Sequence, residues 1–192
     1  MPSGKSHDRI TFWLLPLVLV GALYVTLSPA LSVTVAIAFL IGGLMLGPDL
    51  DIYSVQYRRW GPLRWIWYPY QKALKHRSRW SHGPIVGTLG RVIYLSAWTA
   101  LGTVVGVAIV NHLWQAQLTW PRLSTELSAV AIAYRWQGLA FLTGLELGAL
   151  SHYASDWIDS RLKKLLKGRP KKRPKKRPKK RSKKRAKPRR RS

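Results

Sequence analysis

Residues 10–47, ITFWLLPLVLVGALYVTLSPALSVTVAIAFLIGGLMLG, contain no charged side chain and set the fold of this chain. A helix needs about 20 mostly apolar residues to cross a bilayer core of roughly 30 Å. The Ser28-Pro29 step divides the stretch into two such lengths, residues 10–27 and 30–47. The sequence therefore predicts two membrane-spanning helices joined by a short turn, the first of them a retained anchor and not a cleaved signal.

Two further apolar stretches, residues 84–110 and 127–151, have a comparable length, although Arg135 and Glu146 interrupt the second. Together the four stretches predict an all-α integral membrane bundle of about four transmembrane helices. The chain has no cysteine, which excludes a disulfide framework and a thiolate metal site. A metal ion would therefore be held by imidazole and oxygen ligands.

The positive charge is concentrated at the end of the chain. Residues 161–192 hold 21 of the 33 Lys and Arg residues and no acidic residue, and Pro-Lys-Lys-Arg repeats from residue 170. Regular prolines block a helix, and unbroken like charge opposes collapse. The sequence therefore predicts a transmembrane domain over residues 1–160 and a disordered polybasic tail over residues 161–192.

The charge of the tail suits three kinds of partner: anionic lipid headgroups, nucleic acid and an acidic protein. Beside a membrane, lipid needs the fewest assumptions, because each basic residue near an anionic surface contributes about 1 kcal/mol. Affinity for nucleic acid would follow from the same charge and would weaken with salt.

The distribution of basic residues predicts the orientation. Four spans place the amino terminus, the loop of residues 48–83 and the tail on one side, and that side carries most of the Lys and Arg residues. The opposite side carries Arg122. By the positive-inside rule the basic side is cytoplasmic. The chain is thus expected in the inner or plasma membrane, with its tail in the cytoplasm.

The loop of residues 52–82 combines many Trp and Tyr residues with Arg and Lys. Such side chains suit the headgroup zone of a membrane. We expect short helices, broken by Pro62 and Pro69, to lie along the membrane surface and cover the cytoplasmic ends of the bundle. Each aromatic residue taken singly also fits an ordinary interfacial belt.

Side chains able to bind a metal ion are concentrated at the same cytoplasmic edge. The chain has five His and seven acidic residues, and eight of these flank the predicted spans there: His7, Asp8, Asp49, Asp51, His76, His82, His152 and Asp156. Polar residues also collect at helix ends without any ligand, which is the alternative for each residue alone. The convergence of all eight on one side favours a metal site.

The spacing within the pairs agrees with a shared site. His152 and Asp156 are four residues apart, so they lie on one face of a helix. Asp49 and Asp51 are two residues apart, so their carboxylates point the same way from an extended segment. A single pair of this kind is more often a surface hydrogen bond, so the prediction depends on the clusters together.

Five motifs give the chain a family resemblance: Ser6-His7-Asp8-Arg9-Ile10-Thr11, Gly47-Pro48-Asp49-Leu50-Asp51, Arg59-Trp60-Gly61-Pro62, the run of residues 76–84, and Ser151-His152-Tyr153-Ala154-Ser155-Asp156. Through them, residues 3–160 resemble the metal-binding membrane proteins of the domain of unknown function 2227 family. The same layout is more distantly similar to the LexA-regulated inner-membrane metal-dependent hydrolases. The first resemblance implies a metal site, and the second implies hydrolysis.

A mixed imidazole and carboxylate set suits Zn²⁺, Mn²⁺ or Fe²⁺ better than Ca²⁺. Eight candidates exceed the four ligands of one tetrahedral ion, so either two ions bind or some residues support the ligands. For a hydrolase, the candidate catalytic residues are Asp51, Arg77 and Glu146, with Arg77 available to hold a substrate anion. The alternative is a non-catalytic membrane protein with a structural or sensing metal site and a tail that docks a partner.

Arg91 and Glu146 are charged residues deep in the predicted third and fourth spans. A charge at that depth costs several kcal/mol unless it is paired or hydrated. We therefore expect a salt bridge between them. The alternative is that one of them faces a water-filled cavity beneath the metal site.

Overall fold

The computed structural model describes residues 4–76 and 78–166. Over these residues the chain is all-helical, as the sequence predicts, and no strand occurs in the described ranges. The elements are α1 (Gly4–Thr26), α2 (Pro29–Leu44), a 3-10 helix (Pro48–Asp51), α3 (Val55–Arg59), a second 3-10 helix (Gly61–Trp67), α4 (Tyr68–Ala73), α5 (Arg79–His82), α6 (Val86–Trp114), α7 (Trp120–Ala133) and α8 (Arg135–Leu166).

Three segments of the described chain are helical, long and apolar enough to cross a membrane: His7–Thr26, Pro29–Asp51 and Val86–Trp114. They correspond to the first three predicted spans. The turn between the first two forms because Ser28 caps α2, its side chain accepting a hydrogen bond from the Leu31 amide. Pro29 fits the first turn of a helix, where its missing N–H is not needed.

The fourth predicted span, residues 127–151, is not one continuous helix and is not among these three segments, so the four-span bundle is not confirmed. α7 ends at Ala133, and Tyr134 leaves the helical path before α8 begins at Arg135. α8 also continues to Leu166, six residues past the boundary predicted at residue 160. The rest of the predicted tail, residues 167–192, lies outside the described residues.

The centre of the fold is the close packing of α2 against α8. Gly144 lies against Val35, and Gly148 lies four residues further along against Phe39, so the two helices run parallel. A Cβ atom on Gly144 would lie 2.3 Å from the Val35 carbonyl oxygen, and one on Gly148 would lie 2.4 Å from that of Phe39. Small residues four apart allow the two backbones to approach this closely.

The segment of residues 52–82 folds into the predicted short helices, but not all of its aromatic residues form an interfacial belt. Tyr57, Trp67 and Tyr70 are buried in the hydrophobic core, whereas other aromatic side chains of the segment are exposed. Pro62 and Pro69 stand in the first turns of their helices, so the breaks between the short helices fall at the two prolines, as predicted. The segment therefore packs as an integral part of the fold beneath the ends of the long helices.

The expected salt bridge between Arg91 and Glu146 is wrong. The Arg91 guanidinium donates hydrogen bonds to the Ser81 carbonyl at 2.8 Å and to the Thr88 hydroxyl at 3.1 Å. The Glu146 carboxylate accepts a hydrogen bond from the Ile85 amide at 2.9 Å. Arg91 and Glu146 thus bond to separate groups of residues 81–88, in α5 and around the start of α6, and not to each other.

We predict that Gly148→Ala lowers the midpoint of thermal unfolding, because its new Cβ atom would clash with the backbone of α2. Gly138→Ala in the same helix is the matched control, since nothing lies within 4 Å of its Cβ position. Alanine favours a helix over glycine by about 1 kcal/mol, so the control should raise the midpoint or leave it unchanged. Circular dichroism melts in detergent would contradict this packing if both variants behaved alike.

Candidate metal centre

Seven of the eight predicted ligands lie in one continuous array in which imidazoles and carboxylates alternate. In spatial order the members are His7, Asp156, His152, Asp49, His82, Asp51 and His76. His7 lies in the first turn of α1, and Asp49 and Asp51 lie in the 3-10 helix after α2. His76 and His82 lie in the segment before α6, and His152 and Asp156 lie in the second half of α8. The array therefore forms only because the ends of these elements meet at one edge of the bundle.

One end of the array is a group formed by His7, His152 and Asp156. The two imidazole rings stack with centroids 3.9 Å apart. His7 Nε2 lies 3.4 Å from Asp156 Oδ1, and His152 Nε2 lies 3.8 Å from Asp156 Oδ2. Donor atoms from α1 and α8 thus surround one common point.

The other end is a group formed by Asp51, His76 and His82. His76 Nδ1 lies 2.9 Å from Asp51 Oδ1, and His82 Nδ1 lies 3.4 Å from Asp51 Oδ2. The Asp51 side chain is fully buried. A buried carboxylate with an imidazole at each oxygen is a strong position for a cation.

Asp49 joins the two groups. Its Oδ2 lies 3.4 Å from His152 Nε2, and its Oδ1 lies 3.7 Å from His82 Nε2. The two oxygens of one carboxylate therefore face different groups. Asp49 meets His82 at Nε2, whereas Asp51 meets the same ring at Nδ1, so the two carboxylates lie on opposite sides of that imidazole.

The distances within the array fit metal ligands better than hydrogen bonds. Most of them are 3.4–3.8 Å, beyond the 2.7–3.2 Å of an N–H···O hydrogen bond. Two ligand atoms bound at about 2.1 Å to one tetrahedral ion lie roughly 3.4 Å from each other. Asp51 Oδ2, His82 Nε2 and His152 Nε2 are also buried without a hydrogen-bond partner. The donor set thus fits a metal ion, which would satisfy these atoms.

Two buried serines orient the imidazoles. Ser155 Oγ lies 2.6 Å from His7 Nδ1, which leaves His7 Nε2 for Asp156 or an ion. Ser81 Oγ lies 3.0 Å from His82 Nδ1, which leaves His82 Nε2 free toward Asp49. Supporting contacts of this kind fix the tautomer and direction of a metal-binding histidine.

Two glutamines hold the 3-10 helix that carries both central carboxylates. Gln56 accepts a hydrogen bond from the Asp49 amide at 3.2 Å and donates to the Gly43 carbonyl at 2.8 Å. Gln71 donates to the carbonyls of Leu50 and Ile52, each at 3.0 Å. Sequence reasoning missed both residues, because isolated glutamines in an aromatic loop carry no recognisable pattern.

Three other candidate residues are placed differently. Asp8 belongs to neither group, since Arg59 binds its carboxylate with contacts of 3.0 and 2.5 Å. Glu146 lies against the start of α6 and is bonded to the Ile85 amide. Arg77 lies outside the described residues. The array itself is thus built from four histidines and three aspartates.

The carboxylates strongly perturb His82. Burial lowers the pKa of its imidazole, but the neighbouring Asp49 and Asp51 outweigh that effect and raise the pKa to about 9. Without a metal ion the ring is therefore protonated at neutral pH. A metal ion must displace that proton, since the neutral imidazole is the ligand.

Residues 2–166 match the family described as uncharacterized metal-binding protein, DUF2227. The chain belongs to the DUF2227 family. This confirms the first resemblance seen in the sequence, and the family description agrees with the two groups of His and Asp residues. No curated protein and no solved structure gave a match, so the resemblance to LexA-regulated hydrolases stays a prediction.

We predict that this DUF2227 protein binds two ions per chain and that each end of the array holds one. His7→Ala and His76→Ala should each remove one ion, whereas Asp49→Ala should weaken both. Asp8→Ala is the control and should retain both ions, because Asp8 is engaged by Arg59. Elemental analysis of dialysed protein tests this. Full metal content in Asp49→Ala would exclude the shared carboxylate.

Proposed function

We propose that the protein is a membrane hydrolase with a two-metal centre bridged by Asp49. The observation that carries this proposal is the pair of Asp49 oxygens, each facing a different group of ligands. Two-metal sites of this kind promote displacement reactions by stabilising the attacking and leaving oxygens. The metal ions would also lower the pKa of a bound water and so supply hydroxide near neutral pH.

Several ligand side chains are partly exposed to water, which favours an open, catalytic metal site over a closed, structural one. The side chains of Asp49, Asp156 and His76 are 26%, 25% and 31% exposed. A cavity of about 20 Å³ lies beside His7, Asp49 and His152, with other polar groups in its wall. A polar cavity needs roughly 10–15 Å³ to hold one water molecule. The reactive water would therefore lie against the first group and the shared carboxylate.

The ligand set narrows the choice of metal. The first ion would receive two imidazoles, the Asp156 carboxylate and one oxygen of Asp49. The second would bind either His82 Nε2 with the other oxygen of Asp49, or His82 Nδ1 with Asp51 and His76, because the two nitrogens of one imidazole point in opposite directions. Four protein ligands fill the shell of a structural Zn²⁺ site. An ion that accepts five or six ligands keeps a position open for water. For hydrolysis we therefore favour Mn²⁺ or Fe²⁺, with Zn²⁺ better suited to a structural role.

A structural or sensing role is the second candidate. The ligands lie on elements that are distant in sequence, so a bound metal ion would hold those elements together, which favours this role. In that case metal removal would lower the free energy of unfolding and no reaction would occur. The exposed shared carboxylate favours hydrolysis, since a structural site is usually closed.

Hydrolysis is tested with the purified protein, Mn²⁺ and the chromogenic substrate p-nitrophenyl phosphate. We expect metal-dependent turnover that Asp49→Ala reduces at least about 100-fold, as for loss of a group that stabilises the transition state. Glu126→Ala, at an exposed position on α7, is the control and should keep most of the activity. Metal that raises the unfolding midpoint without any turnover would favour the structural role.

We further propose that the metal centre faces the cytoplasm of the cell, at the inner or plasma membrane. The support is the excess of Lys and Arg on the loop that carries His76 and His82. Because the chain has no cysteine, Tyr53→Cys and Ala116→Cys, both at exposed positions, can be labelled selectively. In intact cells an impermeant maleimide should label position 116 alone. Labelling of position 53 alone would invert the orientation.

For the tail we propose binding to anionic lipid headgroups of the same membrane face. Its support is the charge of residues 161–192 beside the membrane domain. Deletion of residues 168–192 should weaken adsorption to phosphatidylserine vesicles, most at low salt, and leave metal content unchanged. Tighter binding of the full chain to RNA than to these vesicles, at equal salt, would favour nucleic acid as the partner.

A further inference from the structure

A cavity of about 280 Å³ lies between α6 and α8. Its walls are mainly apolar and include Ile85 and Leu89 from one side and Leu142 and Leu147 from the other. These side chains are exposed, so the cavity opens sideways. α6 is long and apolar enough to span a membrane, and in that placement the opening would face hydrocarbon.

The inner wall of the cavity is polar. Thr88 and Glu146 line it, and behind Thr88 lies the fully buried guanidinium of Arg91. Glu146 Oε2 is buried without a hydrogen-bond partner, whereas the Tyr153 hydroxyl lies beside Arg91 and interacts with it. A buried polar atom left unpaired costs about 1–3 kcal/mol. The unpaired Glu146 oxygen in the cavity wall therefore indicates a position for a polar ligand group.

These polar groups lead from the cavity to the metal centre. Glu146 and Tyr153 are seven residues apart on α8, so they share a face and are separated by about 10 Å along the helix. The Tyr153 ring lies 6.1 Å from the His82 ring, measured between centroids. On the other side, Arg91 donates to the Ser81 carbonyl, and Ser81 Oγ contacts His82.

The start of α6 is strained where it borders the cavity. Ile85 has φ 63° and ψ −58°, and the Val86 amide donates to the Pro84 carbonyl at 2.7 Å. This is a γ-turn of the rare, strained form, at a β-branched residue. Glu146 holds the turn through the Ile85 amide. Strain of this kind is concentrated at ligand-binding sites.

We infer that the centre takes an amphiphilic phosphate from the membrane. Its hydrocarbon chain lies in the cavity between α6 and α8, its linking region contacts Glu146 and Tyr153, and its phosphate reaches the metal centre beside His82. A phosphate suits this position because two-metal sites bind phosphoryl oxygens. Arg91 adds positive charge, since it lies against the Ser81 carbonyl and the hydroxyls of Thr88, Tyr70 and Tyr153, and no carboxylate of the described chain forms an ion pair with it. A hydroxyl in the linking region would satisfy Glu146 Oε2.

This inference rests on the proposed metal centre but not on catalysis, so it is tested by binding. The Co²⁺-loaded protein in detergent is titrated with dodecyl phosphate and with inorganic phosphate, and the visible absorption of Co²⁺ reports phosphate at the metal. Dodecyl phosphate should bind at least about tenfold more tightly, since burial of each CH₂ group is favourable. Equal affinities would show that a free phosphate is the ligand and would overturn the inference.

Variants separate the cavity from simple partition of the probe into detergent. Leu142→Trp and Leu89→Trp fill the cavity from opposite walls and should each remove the advantage of dodecyl phosphate while leaving inorganic phosphate unchanged. Leu139→Trp is the control, because Leu139 is exposed on α8 outside the cavity. If all three variants bind dodecyl phosphate equally, the cavity does not hold the chain. Chain-dependent binding without release of phosphate from dodecyl phosphate by the Mn²⁺-loaded protein would refute the proposed hydrolysis and leave this inference standing.

Discussion

The position of one carboxylate, Asp49, depends on how closely α2 and α8 pack, and the rest of the centre depends on Asp49. Gly144 and Gly148 let the two backbones approach, so the turn after α2 arrives beside His152. The same turn places the second Asp49 oxygen toward His82. A side chain at either glycine would move the turn and separate the two groups of ligands.

Burial of this many charged side chains in an apolar bundle is unfavourable unless the charges are paired or bind a metal ion. Three carboxylates and four imidazoles meet at its edge, and several donor atoms lack hydrogen-bond partners. Bound cations would neutralise the carboxylates and satisfy those atoms, so metal binding and folding should be coupled. The location at the ends of the long helices also leaves one side open to water. The proposed reaction on a membrane lipid would need that side and, in a membrane, the cavity between α6 and α8 as well.

The sequence predicted the all-helical fold and the convergence of histidines and aspartates, because apolar length and helix-end position are local properties. It did not predict the break at Tyr134, which depends on how α7 leaves the bundle. Nor did it separate Asp8 from the array, since its partner Arg59 lies 51 residues away. Gln56 and Gln71 were missed for the same reason. Their roles come from contacts with backbone groups that no sequence pattern records.

The most direct test of the shared carboxylate is electron paramagnetic resonance of the protein loaded with two equivalents of Mn²⁺. An Asp49 bridge holds the ions close enough for magnetic exchange, so the account predicts a coupled spectrum for the unaltered chain. Asp49→Ala should show isolated ions or fewer of them. A spectrum of magnetically isolated Mn²⁺ from the fully loaded, unaltered protein would contradict the bridged centre.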